Sequence, residues 1–174
     1  MTRKIILNLA MSIDGFIADV NGRFEWIVGD GNNQLDTKQK WDFNKFLEQV
    51  DVVVAGKNCY DQKILDDFKE KKVFVATSKT MKNHDNFHFI NGDIVETILE
   101  ERKIPGKDIY LFGGGKLVDS FLKADVVDEF IIGIIPIILG KGIPLFHGNG
   151  QEITLKLEET IFESGIVILK YSKR

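Results

Sequence analysis

Three short runs in this chain have no polar face: Val52–Ala55, Ile109–Phe112 and Phe130–Ile135. Successive side chains of a strand point to opposite sides, so a strand apolar on both sides must be covered on both. A largely parallel sheet with helices packed on each surface provides that cover. Helical periodicity supplies the helices. Phe43, Phe46, Leu47 and Val50 recur at i, i+3, i+4, i+7, predicting an amphipathic helix over 36–49 with Asp36 as its N-cap. Asp93-x-x-Glu96 is a capping box that opens a second helix, with Ile94, Val95, Ile98 and Leu99 on one face. Arg102-Lys103 and then Pro105-Gly106 close it. A short helix is expected within 58–68, and Leu117, Val118, Phe121 and Leu122 mark another. Lys4–Met11, Val73–Ala76 and Phe87–Ile90 read as further strands. Ile153–Leu157 followed by Val167–Tyr171 reads as a terminal hairpin. The expectation is one α/β domain over 1–174: a central mixed, mostly parallel sheet flanked by helices, with a C-terminal β-hairpin.

Composition narrows the partners. A net charge of −3 without a long basic run argues against nucleic acid. No stretch reaches the roughly 18 apolar residues of a membrane span. The single Cys59 excludes an internal disulfide and fits a reducing, cytoplasmic setting. Arg3-Lys4 and the apolar run after it look superficially like a leader, but the run is short, is broken by Asn8 and leads straight to Asp14-Gly15.

The stretch most suggestive of chemistry is Ile109–Asp119, where a strand passes through Gly113-Gly114-Gly115 into a helix. Strand, glycines, helix presents free N–H groups and a positive helix end to an anion, usually a phosphate. Three glycines at a strand end also serve as a plain tight turn. The spacing is not that of a G-x-G-x-x-G loop, and Leu117 stands where a Walker loop needs Ser or Thr after its Lys. Two more strand ends carry phosphate-friendly groups: Gly56-Lys57-Asn58-Cys59 and Thr77-Ser78-Lys79. In parallel sheets ligands bind beyond the carboxyl ends of the strands. Three such ends together suit a ligand with several phosphates, and a dinucleotide with an extra 2′-phosphate would occupy Lys57, Ser78 and Lys79 together. Taken singly, the two lysines read equally well as solvated and Ser78 as a turn residue.

Asp42 is the second feature. On a helix over 36–49 it lies beside Phe46 at the edge of the apolar face. Half-sunk among Phe43, Phe46 and Trp26, its carboxyl would have its pKa raised and could deliver a proton. An ordinary solvated helix Asp is the competing reading. His84 and His88 share an i, i+4 spacing, but their stretch is loop-like and offers no third ligand, so no metal is expected. Cys59, at a helix start, would have a depressed pKa, yet no His pairs with it. It reads as packing or cofactor contact.

Taken together, Met11-Ser12-Ile13-Asp14-Gly15-Phe16-Ile17-Ala18, Trp26, Val54–Lys57, Phe112–Gly115 and Val127-Asp128-Glu129 leading to Pro136-x-x-Leu139-Gly140-x-Gly142-x-Pro144-Leu145-Phe146 resemble the dihydrofolate-reductase-like superfamily. They are most similar to its branch containing the reductase of riboflavin biosynthesis. The resemblance implies a three-layer fold and an NADPH-dependent reductase acting on a small pyrimidine- or pteridine-type heterocycle, with homodimers common in the branch. By position, Ala10 and Ile17 would flank the nicotinamide, and Gly56, Lys57, Asn58 and Cys59 would hold phosphates. Thr77, Ser78 and Lys79 would meet the 2′-phosphate end, and Phe112, Gly113, Gly114, Gly115, Lys116 and Leu117 the pyrophosphate. The substrate would meet Asn8, Trp26, Phe43 and Phe46, with Asp42 as the proton-delivering group, since Asp42-Phe43-x-x-Phe46 matches the substrate-side helix of dihydrofolate reductases. The Asp14–Gly22 loop would act as a lid, and the apolar Phe130–Leu139 segment would contribute to a dimer interface. The family's Arg and Thr at the second strand end are Lys57 and Cys59 here. Lys71-Lys72 stand where folate reduction needs an arginine. Dihydrofolate reductase activity and a non-catalytic NADPH-binding protein are the alternatives, and a Mg-dependent P-loop kinase is a third reading.

Overall fold

The double-sided apolar runs form the interior of an eight-stranded sheet. In a computed structural model describing residues 2–148, 150 and 152–174, the strands are β1 (Ile5–Ser12), β2 (Phe16–Ala18), β3 (Val50–Gly56), β4 (Lys72–Ala76), β5 (Phe87–Ile90), β6 (Asp108–Gly113), β7 (Glu129–Ile135), β8 (Ile143–Pro144), β9 (Leu155–Glu163) and β10 (Ile166–Lys173). The helices are α1 (Phe43–Glu48), α2 (Lys57–Asp61), α3 (Ile94–Lys103) and α4 (Gly115–Lys123), with a 3₁₀ turn at Asp66–Phe68. The sheet order is β5-β4-β3-β6-β1-β7-β10-β9, and β2 pairs with β8 separately. From β5 to β7 all neighbours are parallel; β10 joins β7 antiparallel and returns from β9 through the terminal hairpin.

Strand alternation divides the apolar residues between two cores. Ile5, Leu7, Val52, Val54, Ile109 and Leu111 point to one side, where Ile98 of α3 and Val118 and Phe121 of α4 cover them. Ile6, Val53, Ala55 and Tyr110 point to the other, beneath Phe46 of α1 and Phe68. A fully buried side chain the size of Phe121 contributes about 2–3 kcal/mol. The result is the three-layer α/β arrangement expected from the sequence.

One expectation needs correction. The helix predicted over 36–49 is only α1, and Asp36 does not cap it. Asp36 instead accepts the Ser164 N–H at 2.7 Å in the β9–β10 turn and pairs with Lys40. Thr37 exchanges bonds with the Phe162 backbone at 2.9 and 3.2 Å. The edge strand β9 and its turn thus hold 36–37 through one backbone bond and side-chain oxygens, and the helix begins only where the apolar periodicity itself begins, at Phe43. Of the Phe130–Leu139 segment, the Phe130–Ile135 part lies in β7, an inner strand between β1 and β10, with Phe130, Ile131, Ile132 and Ile135 buried, whereas Ile138 beyond it is 70% exposed. Among the described residues, no helix is long and apolar enough to cross a membrane.

Candidate functional site

Parallel pairing brings the three phosphate-friendly strand ends side by side. Gly56 at the end of β3 is in register with Ala76 at the end of β4, and Ala55 with Gly113 at the end of β6. The loops bearing Lys57, Asn58 and Cys59, then Thr77, Ser78 and Lys79, then Gly113 to Leu117 therefore leave one edge from three adjacent strands. Contacts join the first and third loops: the Cys59 thiol sits 3.8 Å from the Gly113 carbonyl oxygen.

This edge is rich in unspent donors. Neither α2 nor α4 has a side-chain cap, because Gly56 and Gly114 occupy their N-cap positions. The first-turn N–H groups of both helices are left without the usual side-chain acceptor. A Cβ on Gly114 would meet nothing among the described residues within 4 Å, so that face of the α4 start is open to them. Gly115 is the opposite case. A Cβ there would run into the Pro144 carbonyl and come within 2.8 Å of His147 Nε2. Gly113 holds φ +120°, which only glycine adopts readily, and joins Gly114 through a cis peptide bond. The Leu117 side chain is buried in the core, leaving only its backbone for a ligand, while Lys116 is exposed. Phe112 packs edge-on against Phe68 and Tyr110. His147 Nε2 is buried beside this helix start without a hydrogen-bond partner among the described residues. In the sequence His147 is a lone residue near Gly148; only its meeting with Gly115 singles it out.

Ile17 reaches the same edge through β2. Phe16 pairs with Pro144 and Ala18 with Ile143 of β8, which abuts Gly115. Asp14 fastens this arm, accepting Ser12 Oγ at 2.6 Å, Leu139 N–H at 3.1 Å and Gly140 N–H at 2.7 Å. These bonds, the Ser12 hydroxyl first, hold its carboxyl below the usual carboxylate range. The lid expected over Asp14–Gly22 is thus anchored at its beginning and carries a paired strand, and after Ala18 it closes in a turn bonded between Asp19 and Arg23. Ala10 lies on β1 opposite Gly133, where the missing side chain leaves its Cβ room.

The substrate-side residues divide. Asn8 is 7% exposed halfway along β1, its Nδ2 without a partner among the described residues. The Tyr110 hydroxyl donates to the Asn8 carbonyl at 3.0 Å. Burial holds this phenol well above its ordinary pKa, so it stays a neutral donor. Phe43, 41% exposed, stacks on Phe46 at 6.0 Å and meets Tyr110 edge-on at 6.3 Å. Phe46 itself is buried and supports this wall from within. Trp26 is not part of it: its Nε1 donates to Arg23 O at 3.2 Å within its own loop. Trp41, 6.0 Å from Phe46, takes the place expected of Trp26. Periodicity does not flag Trp41, because it falls outside the i, i+3, i+4, i+7 set that starts at Phe43.

Asp42 also departs from expectation. It is the N-cap of α1, exposed, and accepts the Lys45 N–H at 2.9 Å. The burial on which its acid role rested is absent, because the helix starts one residue later and not six earlier. Cys59 is the reverse: burial pushes its thiol up, so the depressed pKa expected from a helix start is not found. Lys71 and Lys72 face other work. Lys71 Nζ donates to the Leu47 and Val50 carbonyls at 2.6 and 2.8 Å, and Lys72 pairs with Glu101 at 2.6 Å. His84 bonds Tyr60 and Asp85 at 2.9 and 3.0 Å. Among the described residues no group of three or more His, Cys, Asp or Glu stands close enough to hold a metal. A hollow of about 870 Å³ beside Tyr60, Lys63, Lys69 and Asp85 has walls of mixed charge and lacks the glycines of the strand-end edge.

The model of the RibD C-terminal domain matches residues 3–62 and 60–166. The uncharacterized proteins YyaP and YwjB of Bacillus subtilis are 36% and 34% identical to this chain. The first match covers 97% of this chain and 94% of that protein, the second 92% of each. Among solved structures, a putative riboflavin biosynthesis protein from Shewanella sp. PV-4 superposes over 100% of this chain and 99% of its own, with TM-score 0.79 and 27% identity. The Thermotoga maritima diaminohydroxyphosphoribosylaminopyrimidine deaminase/5-amino-6-(5-phosphoribosylamino)uracil reductase shares the fold at TM-score 0.71 and 18% identity. There the match takes in 99% of this chain but 57% of that one. With its parallel sheet, strand-end glycines and coverage from Arg3 onward, the chain belongs to the RibD C-terminal domain family, within the dihydrofolate-reductase-like fold.

Proposed function

We propose that this protein is an NADPH-dependent reductase of a small pyrimidine- or pteridine-type heterocycle, most like the phosphoribosylamino-uracil reductase named for the Thermotoga relative. One observation carries the reading: three loops distant in sequence leave neighbouring parallel strand ends, two of them opening helices without side-chain caps. Such a row of donors fits a ligand with phosphates along its length. The open face at Gly114 and His147 Nε2, unpartnered among the described residues, fit the pyrophosphate part, and Ser78 and Lys79 on the adjacent loop fit a 2′-phosphate.

When bound, the dinucleotide supplies a hydride. The chain's part is to hold the acceptor against it. Phe43 offers a flat apolar face to a heterocycle, backed by Phe46 and Tyr110. The Asn8 amide, buried without a partner among the described residues, has a donor that a substrate's polar group could satisfy. Asp42 caps α1 through Oδ1 and is exposed, so in this reading it is not a buried acid and any proton passes by way of solvent. The folate alternative is disfavoured because Lys71 and Lys72, which stand where an arginine would grip a glutamate tail, are committed elsewhere. The test is NADPH oxidation with the phosphoribosylamino-pyrimidine and with dihydrofolate in parallel. Turnover of the first and not the second is expected. NADPH binding with neither substrate consumed would favour the non-catalytic reading.

A further inference from the structure

Lys57 is not a free cation. Its ammonium pairs with the Asp61 carboxylate one helical turn on and lies 5.3 Å from the centre of the Tyr60 ring. Tyr60 is itself fixed, its hydroxyl bonded to His84 Nε2 at 2.9 Å and its ring edge-on to Phe87 and Phe89. The Lys57 side chain is 26% exposed and that of Asp61 55%. On the neighbouring strand end, Ser78 and Lys79 are exposed. An anion settling between the two loops would meet Lys79 with its charge available and Lys57 with its charge already answered.

We propose that Asp61 is a specificity-determining residue: by occupying Lys57 it weakens the preference for a 2′-phosphorylated nicotinamide dinucleotide over the unphosphorylated one. This rests on the dinucleotide reading above. A phosphomonoester must share the Lys57 ammonium with Asp61 and also approach a like charge. The unphosphorylated dinucleotide carries only a neutral 2′-hydroxyl at that position, which neither competes for the ammonium as an anion nor is repelled by the carboxylate. Asp61 touches no reacting atom and acts through Lys57, so its signature is selectivity and not rate.

The experiment is calorimetric binding of NADPH, NADH and the fragment adenosine 2′,5′-bisphosphate to wild type, Asp61→Asn, Lys57→Met and the double variant, with melting curves to verify folding. Asp61→Asn is expected to bind NADPH and the bisphosphate about three- to fivefold more tightly at low salt. NADH affinity should not change, and the gain should shrink as salt rises. In the Lys57→Met background the gain should be lost. An equal change for NADPH and NADH, no change for either, or a gain that persists in full without Lys57 would overturn the proposal while leaving the dinucleotide reading intact. Wild type that binds none of the three ligands would overturn both.

Discussion

The two edges of the central sheet treat polar groups in opposite ways. At the edge where the parallel strands begin, charges are consumed. Arg3, 5% exposed, pairs with Asp51 and donates to the carbonyls of Lys107 and Glu101. Arg102 grips both Asp128 oxygens at 3.1 and 3.0 Å, and Asp128 also accepts the Ile5 N–H at 2.8 Å. At the edge where the strands end, donors are left over: two helices start without side-chain caps, Gly114 faces open space and His147 Nε2 has no partner among the described residues. Both edges are built from the same strands, so the difference lies in the loops that join them at either end. Charged side chains that reach one another close the first edge, and glycines that reach nothing keep the second open. A satisfied edge stabilises the fold and an unsatisfied one waits for a ligand.

Substitutions can break this contrast. The largest effect is expected at the closed edge: Arg3→Met should cost about 3 kcal/mol in urea unfolding, at the low end for a broken buried pair because half-exposed Asp51 can rehydrate. Ligand affinity per folded molecule should hardly move. The glycine pair comes next. Gly115→Ala drives a methyl into Pro144 and His147 and should cost about 2 kcal/mol of stability. Gly114→Ala has room and an allowed backbone (φ −76°, ψ −175°), so its melting temperature should stay put. Its NADPH affinity should instead fall about tenfold, or 1.4 kcal/mol. Equal affinity for Gly114→Ala and wild type would mean that the open face is not where the ligand lies. Smaller again, Asp42→Ala should lose about 1 kcal/mol of stability, the usual worth of an N-cap. If it abolishes turnover while the fold survives, Asp42 acts in chemistry after all.

The mildest test concerns pH. Burial raises the Cys59 pKa in the folded state. Its contribution to stability is therefore complete below the ordinary thiol pKa of about 8.5 and is lost as pH rises through the folded value. Iodoacetamide should label native protein at pH 8 far more slowly than urea-unfolded protein. Equal rates would show the thiol to be open to solvent.

Much of the candidate site is legible in the sequence because its signals are local. Gly113 to Lys116 end a strand and open a helix within a few residues, and Asp93 caps α3 through Glu96 N–H at 2.9 Å, as its box indicates. Expectation fails where a distant segment takes part. Residues 36–42 only extend the periodic set of Phe43 to Val50 backwards to an apparent cap at Asp36, and Thr37 and Asp36 find their partners on β9 and its turn. The start of the helix at Phe43 moves Asp42 from a helix flank to a helix cap, and Trp41, not Trp26, is the partner of Phe46. Cys59 departs for a related reason: its helix start is legible, but the burial that outweighs it is not.

By itself the sequence determined the layers. Strands apolar on both faces require cover on both, and alternation assigns each residue to one core or the other. Only the tertiary structure decided which polar groups remain unpaired. Whether Asn8 or His147 finds a partner, and whether a glycine faces Pro144 or open space, depends on segments far away in the chain. Periodicity is a property of neighbours in sequence, whereas hydrogen-bond satisfaction is a property of neighbours in space.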